Sequence, residues 1–372
     1  MQVHVREMLP KEEGDVKQLF ARSLGIIDKI VFQLSFDEAQ KSARKQRGGT
    51  LVAEYHGKIV GAVSMRIQRV KDKQTGYIDA LVVDKELRGR AIGKSLVDRA
   101  ISWLEEHECE IIYATADRYN SPSWNIFIHR GFHLYEIPQQ LKDYGIYFLR
   151  LWLVEFHFIG YGTFFLRRGK EAEKLSETRE VWHWLGALLG VSIVWWIQIL
   201  RSQEPLTFIP IVFAVTTISL LVHEFSQKLV AFMLGLHTTF KAWGSGILFS
   251  WLFALFGVFF PAYGSTYVKQ LDWWYNPKKD KTGIVFAVGP LASVMLGFTF
   301  LAVQIFAPNS LLVTATRMGY ATNFIITIFN LIPIQAAGGF VWDGKKILEW
   351  NKILWAALVM ATATLIILDT FF

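Results

Sequence analysis

At 372 residues the chain has room for two or three domains, and its charge is split unevenly: residues 183–372 hold only 18 of the 71 Lys, Arg, Asp and Glu residues. A net charge of +7 without any long Lys/Arg run excludes a nucleic-acid partner, and the single cysteine, Cys109, excludes an intrachain disulfide. The first half therefore reads as a soluble domain and the second as a membrane domain. The opening MQVHVREMLPKEEGD lacks the apolar core of a signal peptide, so the N-terminal domain is expected in the cytoplasm of a multi-pass protein of the cell membrane.

Residues 1–153 alternate strand and helix patterns. TLVAEYHGKIVGAVSMRIQRV predicts a hairpin turning at His56-Gly57, and YIDALVV a buried strand. RGRAIGKSLVDRAISWLEEH then predicts a helix, EIIYATAD a strand, and YNSPSWNIFIHRGFHLYEI a further helix and strand. The informative piece is LVVDKELRGRAIGKSL, residues 81–96, where a strand runs into a Gly-rich turn that opens a helix at about Ile92. Backbone N–H groups at a helix N-terminus form an anion site, small residues let a pyrophosphate approach, and Arg88, Arg90 and Lys94 add positive charge.

This loop, together with the Asn120…Gly131-Phe132 segment, resembles the GCN5-related acetyltransferase family over about residues 1–153. The family pattern Arg/Gln-x-x-Gly-x-Gly/Ala is met by Arg88, Gly89, Arg90, Ala91, Ile92 and Gly93, with Ala91 replacing one glycine. The resemblance implies an α+β fold with a mixed central sheet and flanking helices, and acetyl-CoA or CoA as cofactor. It implies that Leu81 and Val83 pair with the pantetheine arm, that residues 88–94 hold the pyrophosphate, and that Asn120 lines the cofactor channel. Where the family often has a Tyr as general acid this chain has Phe127, whose ring has no proton to give. Asp79 is either a general base or a structural carboxylate.

Residues 154–183 mix aromatics with a basic-acidic run and read as an amphipathic connector at the membrane surface, with a plain linker helix as the alternative. From 184 to 372 apolar runs of spanning length recur, at roughly 184–200, 206–235, 246–268, 283–306, 311–333 and 353–371. Arg167, Arg168 and Lys170 place the start of the first run in the cytoplasm. Lys241, Lys269, Lys278, Lys279 and Lys281 flank the 246–268 run on both sides, so this run, with Gly257, Pro261 and Gly264, is expected as a re-entrant hairpin between five spans. The expected architecture here is an all-α polytopic domain.

Within the second run, LLVHEFSQKLV carries His223, Glu224 and Gln227. Residues four apart share a helix face, so His223 and Gln227 point the same way with Glu224 beside them. In His-Glu-x-x-His this spacing lets two imidazoles bind one zinc while the Glu activates water. Asp343, in NLIPIQAAGGFVWDGKKIL after Pro333 and the Gly338–Gly339 pair, is the candidate third ligand. The alternative is a polar pair that ties helices together. His237 lies about 21 Å further along a continuous helix and is excluded unless that helix breaks.

HEFSQKLVAFMLG, GIVFAVGPLAS and NLIPI…WDGKKILEWN, in this order, resemble the three signature segments of site-2 proteases, intramembrane zinc metalloproteases. The resemblance implies Zn2+ on His223 and Asp343, Glu224 as general base, Asn330 near the scissile bond, and a membrane-spanning protein as substrate presented by the hairpin as an extended strand. Gln227 stands at the second histidine and is a weaker, neutral ligand, and Ser293 stands where an Asn commonly follows the Gly-Pro-Leu turn. The leading expectation is an intramembrane metalloprotease regulated by its acetyl-CoA-binding domain. The alternative is an impaired homologue serving as a membrane-anchored acetyltransferase or an acetyl-CoA-responsive sensor.

Overall fold

His56 and Gly57, at φ values of 49° and 74°, make the two-residue turn between strands Gly48–Tyr55 and Lys58–Val70. Positive φ at both turn positions matches the right-handed twist of the strands it joins. In this computed structural model the described residues are all except 1–2, 25, 71–72, 119, 155–161, 176, 204, 269–278, 307–309, 335–340 and 370–372. Lys269, Lys278 and the Gly338–Gly339 pair lie outside the described residues. The chain divides into two units after Glu177.

The first unit contains, in order, β1 (His4–Glu7), α1 (Glu13–Ser23), α2 (Ile26–Ala43), β2 (Gly48–Tyr55), β3 (Lys58–Val70), β4 (Lys73–Val83), α3 (Ile92–Glu106), β5 (Ile111–Asp117), α4 (Ser121–Ile128), β6 (His133–Leu134), α5 (Ile137–Tyr144), α6 (Phe148–Val154) and β7 (Thr163–Gly169). They build one mixed sheet in the order β1-β2-β3-β4-β5-β7-β6, in which only β4 and β5 are parallel. The expected mixed sheet with flanking helices is what the chain forms. α3 buries Ile92, Leu96, Val97, Ala100, Ile101 and Leu104 against Val63, Met65, Ile78 and Ile112. Each large aliphatic side chain so buried contributes about 1.5–3 kcal/mol. α1 and α2 pack Val16, Leu19, Phe20 and Phe36 onto Val52, Ala62 and Val82. A third cluster joins Tyr144 and Leu151 of α5 and α6 to Tyr113, Tyr135 and Phe165.

Residues 163–169, expected in the surface connector, are instead a sheet strand: β7 pairs along its whole length with β5, and Arg167 pairs with Asp143 at 2.7 Å. Arg168 meets Glu105. These arginines therefore belong to the first unit and do not mark a membrane-flanking loop. The expected boundary at 153 falls short of β7 for the same reason.

The second unit contains α7 (Glu180–Ser202), α8 (Ile209–Met233), β8 (Thr238–Ala242), α9 (Gly244–Leu255), β9 (Gly264–Val268), α10 (Lys279–Ile305), α11 (Ser310–Leu331), α12 (Asp343–Trp350) and α13 (Lys352–Asp369). Among the described residues three stretches are long and apolar enough to cross a membrane, 180–202, 206–233 and 282–305, with α9 and residues 352–368 as shorter apolar helices. Leu185, Leu189, Trp196 and Leu200 of α7 and Phe225 and Leu229 of α8 face outward, as a lipid-facing surface requires. The hairpin expected at 246–268 resolves into α9 and β9, and β9 pairs antiparallel with β8 from Ala242↔Gly264 to Thr238↔Val268. The unit is thus helical, as expected, with one two-stranded sheet added to the helices.

Candidate functional site

In the second unit, α8 carries Thr216, Ser219, His223 and Gln227 along one buried stripe, the face a helix presents at steps of three and four. His223, Glu224, Gln227 and Asp343 are all at most 3% exposed. Asp343 opens α12 and meets Gln227 across 116 residues of chain: the Gln227 amide Nε2 donates to Asp343 Oδ2 at 2.8 Å. The Lys346 ammonium, buried over the Phe286 ring at 3.9 Å, donates to Asp343 Oδ1 at 2.9 Å. His223 Nδ1 and Ser293 Oγ of α10 are hydrogen-bonded at 2.9 Å. That bond fixes the imidazole and leaves Nε2 as the nitrogen aimed at the site, the usual arrangement around a ligating histidine.

Glu224 accepts from the Thr266 hydroxyl at 2.6 Å, and the Thr266 backbone N–H faces the same carboxylate. Thr266 lies opposite Phe240 in the β8–β9 pair, and the Phe240 N–H donates outward to Glu180 at 2.9 Å. Both strands of the small sheet thus turn a backbone donor outward to face a glutamate. Lys228 neutralises Glu180 at 2.5 Å, which pins β8 to α7 and α8. The Tyr263 hydroxyl lies beside Glu224 and Asn330 without a well-aligned hydrogen bond. Asn330, at the end of α11, donates to Ile326 O at 2.9 Å.

Whether these residues suit a cation can be tested on the donors themselves. His223 Nε2 and Gln227 Oε1 are both buried and without a hydrogen-bond partner. Both side chains also reach the bare Cα of Gly289, where an added Cβ would collide with the amide and the imidazole, so glycine keeps the space open. An unpaired buried acceptor costs about 1–3 kcal/mol, which a bound ion would recover. The donor set of one imidazole, one carboxylate and one amide oxygen fits a divalent ion, although no group of three or more His, Cys, Asp and Glu side chains gathers among the described residues. α8 does end before His237, at Met233 with Gly235 at φ 71°, but His237 is exposed, whereas the donors of the site are buried.

The sequence motifs named His223, Glu224, Gln227, Asp343 and Asn330. They gave no role to Thr266, Lys346 or Tyr263, and recorded Ser293 only as a departure. Gly289 stood inside a quoted motif, and its use becomes visible only once α10 crosses α8.

In the first unit, β4 and β5 pair from Thr75↔Ile111 to Ile78↔Ala114 and then separate, while β4 continues to Val83 and β5 to Asp117. Leu81 and Val83 lie on the free stretch of β4, half-buried. The loop after it reaches α3 through Gly89 at φ 78° and Ala91 at φ 62°, and Ala91 as N-cap supplies no side-chain bond to the helix N–H groups. Gly89, Arg90, Ala91 and Lys94 are exposed around that helix start. Arg88 points inward: its guanidinium donates to Ser23 O at 3.0 Å and to Val83 O at 3.4 Å. Asn120 caps α4, accepting from the Ser123 N–H at 3.2 Å.

Phe127 is buried edge-on against Phe132, with ring centroids 5.2 Å apart, so position 127 is part of the core. Asp79 forms a buried pair with Arg66 at 2.9 Å. Burial pushes its carboxyl upward against the opposing pull of that guanidinium. The pairing favours the structural role for Asp79 over the general base. An ideal Cβ on Gly93 would stand 3.4 Å from Ile126 and 3.7 Å from Val83, so a larger side chain must grow into the mouth of the splay. If the loop holds acetyl-CoA, as the resemblance implies, Gly93→Trp is expected to weaken that binding by about 100-fold, near 2.7 kcal/mol, measured by calorimetry with the full chain. It is a cleaner probe than Arg88→Ala, which also cuts two bonds to the backbone.

Residues 16–132 match the Acetyltransferase (GNAT) family. The chain is 34% identical over 136 residues to a protein of Methanocaldococcus jannaschii whose name assigns it provisionally as a zinc metalloprotease, covering 36% of this chain and 66% of the relative. It is 35% identical over 81 residues to an N-alpha-acetyltransferase of Arabidopsis thaliana, covering 22% of this chain and 43% of that one. The chain thus spans just under two thirds and under half of these two relatives. Among solved structures, it is similar to a NatC complex bound to Gag peptide and CoA, at 19% identity and a TM-score of 0.33, covering 46% of this chain and 99% of that one. It is also similar to the PaiA N-acetyltransferase of Thermoplasma acidophilum in complex with coenzyme A, at 12% identity and a TM-score of 0.35, covering 46% and 100%. The N-terminal unit is a GNAT acetyltransferase domain, carried on one chain with a unit of apolar helices, in a protein that is also similar to one provisionally named a zinc metalloprotease.

Proposed function

We propose that the chain is an intramembrane metalloprotease of the site-2 type, acting on membrane-spanning proteins, whose GNAT domain binds acetyl-CoA on the cytoplasmic side and regulates cleavage. The observation that carries this reading is the meeting of Asp343 with Gln227 and His223 beside Glu224, in space that Gly289 leaves open. His223 Nε2, an Asp343 oxygen and the Gln227 amide oxygen would hold zinc. When bound, zinc would supply Lewis-acid polarisation of a peptide carbonyl and activation of water.

The chain's own groups supply the rest. The Glu224 carboxylate takes the proton from the attacking water and returns it to the leaving amine. Thr266 and the strand that holds it fix that carboxylate, and β9 offers an extended edge on which a substrate segment can lie as an added strand. Asn330 and Tyr263 stand on the Glu224 side of the site, where the peptide would pass. Ser293 holds the His223 ring in place.

A second reading has its own observation. Both oxygens of Asp343 are already satisfied inside the protein, one by the Gln227 amide and one by the Lys346 ammonium. A carboxylate neutralised in this way stands without an ion, as in a homologue that recruits or senses rather than cuts. Metal analysis of the purified full chain separates the two. The protease reading expects stoichiometric zinc that is lost in His223→Ala, and protein that folds without zinc and keeps its thermal transition in chelator overturns it.

A further inference from the structure

The α5–α6 segment of the GNAT domain is two-faced. Tyr144, Leu151 and Trp152 point into the sheet, while Leu141, Ile146, Tyr147 and Leu153 stand outside at 47%, 75%, 60% and 65% exposure. Lys142 and Arg150 lie among these outer residues, exposed, with no carboxylate partner among the described residues. Asp143, the acid of the segment, is turned aside to Arg167 and the Tyr135 hydroxyl. The outer face is therefore apolar and aromatic with two free cations.

Two placements on the chain say what covers it. α5 follows directly from β6, which is the strand beside β7 at the sheet edge. β7 ends at Gly169, and the membrane-length helix α7 starts at Glu180. The ten residues between them reach at most about 35 Å when fully extended. A membrane-length helix thus begins within that reach of the strand beside this edge, which brings a lipid surface within range of the domain.

We propose that the outer face of α5–α6 docks on an anionic lipid surface, with Leu141, Ile146, Tyr147 and Leu153 in the headgroup boundary and Lys142 and Arg150 against lipid phosphates. An apolar face flanked by cations is the pattern of interfacial helices, and each cation near an anionic surface adds to the attraction. The face lies on the GNAT domain alone, so the proposal holds whether or not the membrane unit cuts peptides.

The test uses the full chain in lipid nanodiscs. Cys109 is buried and its thiol is pushed up to about 11 by that burial, so a single introduced cysteine is labelled selectively. An environment-sensitive fluorophore is placed at Ile146→Cys, and as control at His4→Cys on β1. That strand is the opposite sheet edge, six strand spacings or about 29 Å from β6. In discs of phosphatidylcholine with phosphatidylglycerol, nitroxide-labelled lipid should quench the probe at 146 about twofold or more relative to the probe at 4. The double reversal Lys142→Glu with Arg150→Glu should reduce that quenching, as should discs of phosphatidylcholine alone. Equal quenching at the two positions, or quenching at 146 indifferent to both changes, overturns the proposal in favour of a protein partner or an unoccupied face.

Discussion

Glu224→Gln is expected to lower cleavage of a membrane-spanning reporter by about 10²–10⁴-fold, the usual loss when a positioned general base is removed. The amide has nearly the shape of the carboxylate and can still accept from Thr266 through its oxygen, so the contact at 2.6 Å survives. The Thr266 hydroxyl donates to residue 224 and its N–H faces the same group, which favours the amide oxygen turning toward the strand and the NH2 group turning toward the site. Thermal stability and zinc content should therefore stay close to those of the parent chain. A fall in cleavage accompanied by loss of metal would instead make Glu224 part of the donor set. Cleavage unchanged by the substitution removes Glu224 from the chemistry.

Gln227→His carries the second large effect. In the parent chain the Gln227 amide spends its NH2 group on Asp343 and leaves its oxygen unpaired. An imidazole there frees the Asp343 oxygen and offers a nitrogen, which zinc prefers to a neutral amide oxygen. The room for it exists on the Gly289 side, where no side chain intervenes. Zinc affinity should rise by at least about 10- to 100-fold, the range that a changed neighbour of a metal ligand alone commands. The rise is read by titration against a competing chelator and by a zinc-dependent increase in the thermal transition. At a fixed zinc concentration of about 100 times the new Kd the added stability is near 2.7 kcal/mol. Unchanged affinity means that Lys346, still on Asp343 at 2.9 Å, controls the site. Lys346→Met in the same background then tests that directly.

Local pattern reading succeeded where structure is local. The hairpin at His56-Gly57, α3 with its loop, and the face shared by His223 and Gln227 follow from periods of two and 3.6 and from the need for positive φ. The partnership of Asp343 with Gln227 rested on the place of Asp343 in the loop after Pro333 and then on a family resemblance, since no periodicity connects positions 116 residues apart. Partners that reach the site from other elements stayed hidden. Thr266 and Ser293 are ordinary hydroxyls until β9 and α10 bring them to Glu224 and His223.

The misreading of Thr163–Gly169 has a different cause. Its burial does not alternate, because Arg167 is buried with Asp143 and over the Tyr135 ring while Phe164 is only half-buried. A strand wedged between β5 and β6 also ignores chain order. Aromatics beside arginines look like a membrane edge unless their acidic partners are known.

The hold of Thr266 on Glu224 has a kinetic meaning under the protease reading. As long as nothing lies along the outer side of β9, the carboxylate stands against the Thr266 N–H and is held in check by the Thr266 hydroxyl. A peptide that unwinds and claims the Thr266 N–H must pull it off the glutamate, so the act of lying down along the strand is what unlatches the proton acceptor. Helical segments that merely drift past would leave the latch closed, and selection for an unwindable chain would be built into the resting state of the base.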